Sequence, residues 1–273
     1  MNSTVILKGN ILYTPRPSEF ISIQHGYIIA VDGVVVYCGE SIPPAYADCE
    51  VTDYGDNLII PGFVDTHAHA PQYCNRGLGM DKELLPWLET YTFPEEAKFS
   101  DLDYARLVYG AFVQDLRRNG TTRSILFGTI HKESTLVLME LLQKAGLSAY
   151  VGKVNMDRNS PDFLIEETSQ SLADTKDWLE ASAQFGPLVK PIITPRFVPS
   201  CTSELMDGLG TLSEEYKVPV QSHLSENHGE IDWVAALHPE SPNYTDVYYE
   251  HKLMGRTPTV MAHCIHLSDV EMD

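Results

Sequence analysis

From about residue 58 to the end of the chain, short β-branched runs alternate with stretches of helical spacing, and few architectures accommodate that rhythm. A first strand lies in "NLIIPGFVDTHAH". "TTRSILFG", "SAYVGKVNMD", "VKPIITPRFV", "VPVQSHL" and "TPTVMAHC" read as the next five. Between them, "DLDYARLVYGAFVQDLRRNG" places Ala105, Val108, Phe112 and Leu116 on one helical face, with Gly120 as the stop. "KESTLVLMELLQKAG", a long helical segment "SPDFLIEETSQSLADTKDWLEASAQF", "TSELMDGLGTLSEEY" and "TDVYYEHKLM" supply the other helices. Six strands alternating with helices point to a parallel α/β fold. The preceding residues differ: "TVILKGNILYT" and "YIIAVDGVVVYCG" are strand-like, and Asp32-Gly33 between apolar flanks signals a hairpin. Two domains are expected, a β-strand segment over residues 1–58 and an α/β domain over residues 59–273. No internal repeat, low-complexity tract or long linker separates them.

The residues able to do chemistry gather at strand ends. His67 and His69 end the first strand, Arg196 the fourth, His223 the fifth and His263 the sixth. Residues i and i+2 of a strand share a face, so the two rings of the H-x-H pair can converge on one metal ion. The pair alone proves little, since two polar residues at a strand end would look the same. In a (β/α) barrel, however, active sites are built at the C-terminal strand ends, which moves the reading to a metal site. Imidazoles from separate strands with an open position for water make a catalytic rather than a structural site. Glu226, three residues beyond His223 in "SHLSEN", is placed to carry protons, although an exposed carboxylate at a helix start is the commoner fate of Glu.

Composition narrows the partners. A net charge of −19 argues against nucleic acid or an anionic membrane surface, both of which need basic patches. No apolar run approaches a membrane span, and "MNSTVILKGNILY" lacks the basic start and apolar core of a signal peptide. The five cysteines are odd in number and scattered, so reduced thiols and a cytoplasmic location are expected.

The motifs "PGFVDTHAHAPQY", "LLPWLETYTFPEEAKF", "ITPRFVPSC", "SHLSEN" and "TVMAHCIHLS", from about residue 58 to 268, resemble the amidohydrolase superfamily and, within it, the guanine deaminase family. The H-x-H pair marks the superfamily, while "HAHAPQY" and "PWLETYTFPEEAKF" narrow the resemblance. It implies a (β/α)8 TIM-type barrel, with the N-terminal strands contributing to a β-sandwich. His67, His69 and His223 become the metal ligands, for one Zn2+ per subunit or another divalent metal such as Fe2+. Glu226 becomes the proton shuttle and His263 the partner of the attacking water. Gln72 and Arg196 read the guanine edge, Arg196 by donating to the 6-oxo group, and His69, His223 and Glu226 also face the substrate. Trp87 and Phe197 wall the purine, although plain core packing explains them equally well. The implied reaction is hydrolysis of guanine to xanthine and ammonia by a homodimer. Another purine or pyrimidine deaminase of the superfamily, or a catalytically dead scaffold, are the alternatives.

"HGE" at residues 228–230 fits the H-x-E start of a different zinc deaminase design, but no two cysteines lie three apart to complete it. His228 and Glu230 are therefore expected on a helix surface, and His25, His131, His238 and His251 receive no role. The resemblance also implies a further Asp ligand after an eighth strand. Neither Asp269 nor Asp273 stands in that context, so the expectation is a chain cut in mid-fold, with its own activity open. "LSDVEMD" reads as a starting helix in which Ser268 and Glu271 form a capping box.

Overall fold

The computed structural model describes residues 3–272, so Asp273 lies outside the described residues. The chain divides into two compact units, Met1–Gly62 and Phe63–Asp273. In the first, β1 (Thr4–Arg16), β2 (Glu19–Val31), β3 (Val34–Gly39) and β4 (Val51–Ile59) form one mixed sheet in the order β3-β2-β1-β4. The β2–β3 turn is the Asp32-Gly33 step, with φ of 50° and 80°, both in the left-handed region that two-residue hairpins require. Leu58 and Ile59 pair with Asn10 and Ile11 of β1. The apolar run before His67 thus belongs to two strands, and it breaks at Pro61-Gly62, where Pro has no N–H for a ladder.

The second unit contains the alternating pattern. Strands β5 (Phe63–His69), β6 (Thr121–Phe127), β7 (Ser148–Gly152) and β9 (Val189–Pro191) lie parallel in that order. Short β8 (Val154–Asn155) and β10 (Thr194–Pro195) continue the third and fourth strand positions, and β11 (Val220–Leu224) pairs with β12 (Thr259–His263). Bonds from Ile193 N to Pro219 O and from Gln221 N to Ile193 O carry the arc across from β10 to β11. Six strand positions are therefore present among the described residues, two of them interrupted. Helices connect them for local reasons. Asp101 accepts from the N–H groups of Asp103 and Tyr104 to start Leu102–Arg118, which buries Val108, Tyr109 and Phe112. Lys132–Ala145 stops at Gly146 in the left-handed conformation, and Thr202 caps Ser203–Tyr216 through Leu205 N.

The long helix expected after residue 159 is shorter, covering Thr168–Ser182 with only a single turn at Asp162–Leu164 before it. The intervening chain is held out of helix because Glu166 N bonds to Met156 O. The Glu166 carboxylate also accepts from Lys153 Nζ at 2.6 Å and from Met156 N at 3.1 Å. Two further readings need correction. The helix expected at residues 245–254 covers Tyr244–Glu250 and ends there, and Glu230 is fully buried rather than on a helix surface, while His228 is exposed. Ser268 and Glu271 do bond as a cap, Glu271 Oε2 accepting from Ser268 N and Oγ, each at 2.9 Å. No helix among the described residues is long and apolar enough to cross a membrane.

Gly152, at the end of β7, shows how tightly the strand ends are packed. A Cβ there would lie 1.7 Å from Thr194 Oγ1 and 2.7 Å from Gln221 Nε2. Gly152→Ala should therefore cost about 1–3 kcal/mol by overpacking, read as a lower urea midpoint. An unchanged midpoint would show that the interior yields more easily than these contacts imply.

Candidate active site

Strand alternation brings His67 and His69 of β5 to the same face, and the fully buried β11 presents His223 beside them. The ligand nitrogens of His67, His69 and His223 all lie within 4.8 Å of one another. His263, ending β12, completes the cluster with its ring centroid 5.0 Å from that of His67. His263 and Ser225 both adopt positive φ, 71° and 51°, so the chain turns sharply as it leaves β12 and β11. Such backbone is costly for residues with a Cβ and is held here by tertiary bonds, from Cys264 N to Leu224 O and from Ile265 N to Ser225 O.

Hydrogen bonding decides which nitrogens are free. His223 Nδ1 lies 2.7 Å from the Arg196 carbonyl, which can only accept, so Nδ1 carries the proton and Nε2 keeps its lone pair. His69 Nε2 approaches that lone pair to 2.9 Å, while His69 Nδ1 is buried without a partner. Two imidazole nitrogens so close satisfy each other only with a proton or a cation between them. Burial lowers the pKa of His67 to about 4 and holds those of His69 and His223 well below the ordinary value, so all three rings are neutral donors. A neutral, clustered imidazole set fits a borderline divalent transition metal, and these three residues are the ones that would hold it.

The cluster opens on a cavity of about 120 Å³. Besides the four imidazoles, Glu226, Gln72 and Arg196 give it polar walls, and Trp87, Phe197, Leu84 and Leu88 give it apolar ones. The cavity is thus lined by all nine residues given a candidate site role from the sequence: His67, His69, Gln72, Trp87, Arg196, Phe197, His223, Glu226 and His263. Phe197 also packs in a buried cluster with Leu88 and Phe93, and Trp87 Nε1 donates to Leu78 O at 3.0 Å, so packing and lining are not exclusive. The Glu226 carboxyl lies 3.3 Å from His263 Nε2. Burial, then the nearby Glu230 carboxyl, push its pKa up to about 7, against the opposing pull of Arg196.

Four supporting residues received no role in the sequence reading. Glu96 joins Gln72 and Arg196 from behind, taking Gln72 Nε2 at 3.1 Å and Arg196 Nη1 at 2.6 Å. The second acid of "FPEEAKF", within a quoted motif, was its only signal. Glu230 accepts from the N–H groups of Glu226 and Asn227, at 2.9 and 3.2 Å. Tyr244 Oη donates to Glu230 at 2.8 Å, and Tyr248 Oη to the His223 carbonyl at 2.7 Å.

Residues 58–273 match the model of the amidohydrolase family, and the chain belongs to that family. Among curated relatives, it is 52% identical over 223 residues to guanine deaminase of Dictyostelium discoideum, covering 81% of this chain and 49% of that protein. It is 40% identical over 269 residues to guanine deaminase of Escherichia coli K12, covering 94% and 60%. The structure of guanine deaminase from C. acetobutylicum with bound guanine in the active site superposes with a TM-score of 0.96 at 52% identity, covering 99% of this chain and 64% of that one. The chain spans about half the length of the curated relatives it matches.

The Glu226 environment predicts how stability depends on pH. Its folded pKa of about 7 exceeds the ordinary 4.5, so its protonated form favours folding. That contribution is whole below the ordinary value and is lost as pH rises through the folded one. In the metal-free protein, the always-neutral Glu226→Gln should raise Tm by a few degrees at about pH 8 and hardly at all at about pH 5. A gain of equal size at both pH values would contradict the buried-carboxyl account.

Proposed function

We propose that the chain carries the catalytic barrel residues of a zinc-dependent guanine deaminase, converting guanine and water to xanthine and ammonia. The observation that carries this reading is one cavity that unites a neutral imidazole triad, a carboxyl titrating near neutrality and a Gln72–Arg196 wall. Relatives named guanine deaminase at 40–52% identity support it. Zinc is proposed because imidazole nitrogens suit it, and Fe2+ has the same claim on this donor set.

When bound, a divalent cation held by His67, His69 and His223 would make water acidic enough to yield its proton near pH 7. The remaining steps fall to the chain's own residues. Arg196 donates to the 6-oxo group and Gln72 meets the adjoining edge, which turns C2 of the ring toward the imidazoles. Trp87 and Phe197 flank the flat purine. Glu226 takes a proton from the water that adds at C2 and delivers one to N3. His263, within hydrogen-bonding distance of Glu226, steadies that carboxyl and the adding oxygen. Return of a proton to the 2-amino group lets the C2–N bond break, and ammonia leaves. A carboxyl with a pKa near 7 can both accept and return a proton at working pH.

Two outcomes test this. Glu226→Gln should lower kcat by about 10³-fold or more while zinc content stays at the wild-type level, because the amide fills the site but cannot carry a proton. His67→Ala should lose metal and activity together. A Glu226→Gln protein with near-normal ammonia release, or with its metal gone by elemental analysis, would remove Glu226 from the proposed role. With adenine, whose 6-amino group meets the Arg196 donor as another donor, kcat/KM should be about 10⁴-fold below that for guanine. Comparable ultraviolet-monitored rates on the two bases would refute the guanine assignment.

A further inference from the structure

Gln72 and Arg196 line the cavity, whereas Glu96 stands behind them and does not. Its carboxylate is 1% exposed and each oxygen holds one donor, Gln72 Nε2 on Oε1 and Arg196 Nη1 on Oε2. These two bonds decide what the wall offers a ligand. A carboxylate oxygen can only accept, so the Gln72 amide cannot flip without setting oxygen against oxygen. Gln72 Oε1 is thereby kept as an acceptor, and it has no protein partner among the described residues. Arg196 spends a single N–H on Glu96 and keeps its other donors. An acceptor beside a donor complements a lactam edge, N–H next to C=O. An amidine edge offers the reverse order, and a deprotonated lactam offers two acceptors. Charge acts in the same direction. Arg196 is 2% exposed, and a buried guanidinium without a counter-ion would favour anions, whereas the pair with Glu96 is neutral.

We propose that Glu96 is a specificity-determining positioning residue: by holding Gln72 as an acceptor and cancelling the charge of Arg196, it makes the cavity select neutral lactams over anions. The proposal rests on the deaminase reading only in taking the ligand to be a purine. It has a consequence for turnover. Xanthine is a stronger ring acid than guanine, so a wall that disfavours anions binds the ionised product less well than the substrate and eases its release.

The test uses calorimetry on metal-loaded protein carrying Glu226→Gln, which removes the one lining carboxyl that itself titrates in the range scanned, with hypoxanthine and xanthine, 6-oxo purines that lack the 2-amino group and so bind without turnover. Between about pH 6 and about pH 8.5 xanthine becomes largely ionised, and its affinity relative to hypoxanthine should fall about fivefold or more, as the neutral fraction falls. In Glu96→Gln that relative fall should vanish or reverse. A protein with Glu96 intact that binds xanthine more tightly as it ionises overturns the proposal without any change at Glu96. So does a Glu96→Gln protein that weakens both ligands equally and keeps the fall, the result of a merely structural role. Failure of the protein with Glu96 intact to bind either purine would instead refute the deaminase reading, on which the ligand class depends.

Discussion

The carbonyl of Arg196 is the point on which the site depends. It accepts from His223 Nδ1 at 2.7 Å, which fixes the tautomer that leaves Nε2 free. It also accepts from His223 N at 3.3 Å and Ser222 Oγ at 3.2 Å. The same residue projects its guanidinium into the cavity wall, locked to Glu96, and its N–H binds Asn155 O at 3.2 Å. One residue at the end of the fourth strand position therefore orients a candidate metal ligand with its backbone and a ligand edge with its side chain. A shift in that strand end would move the imidazole cluster and the Gln72–Arg196 wall together, which preserves the distance between them. Parallel strands make this economical, since neighbouring ends exchange backbone bonds directly.

Burial supplies the second half of the argument. Four imidazoles packed within a few ångströms would repel strongly if charged, and desolvation keeps His67, His69, His223 and His263 on the neutral side. Neutrality is what fits His67, His69 and His223 to hold a metal ion instead of forming a cationic patch. The same desolvation acts in the opposite sense on Glu226, whose neutral form is favoured. A single dry environment thus tunes a set of bases to stay unprotonated and an acid to hold its proton near pH 7.

How much of this was legible in the sequence depended on whether a residue sits on a regular element. His67, His69, Arg196, His223 and His263 could be placed because strand ends in an alternating α/β pattern fall on one side, whatever the details. Glu226 followed from its distance to His223. Glu96 could not be found that way. It belongs to a run of short, mixed helical turns over residues 84–100, where no single period says which side a residue faces, and its partner is 100 positions away. The Asp162–Glu166 segment misled for a related reason. Its composition suits a helix, but Lys153 and Met156 hold Glu166 between the extended Ile165 and Glu167, long-range bonds overriding local propensity.

Glu230 shows why a plausible surface residue can be integral to the chemistry. Read locally, it is a helix-start acid, and it does complete a capping box with Asn227. Its position makes the cap more than that. The bonds it accepts from Glu226 N and Asn227 N hold the strand-to-helix turn closed after Ser225, whose positive φ would otherwise be free to relax. Tyr244 ties the same carboxyl to the wall behind His223. Glu230 therefore sets both where the Glu226 carboxyl points and, as a nearby acid, how readily it gives up its proton. The proton-carrying role proposed for Glu226 is in this sense prepared by a helix cap, from a residue that does not line the cavity.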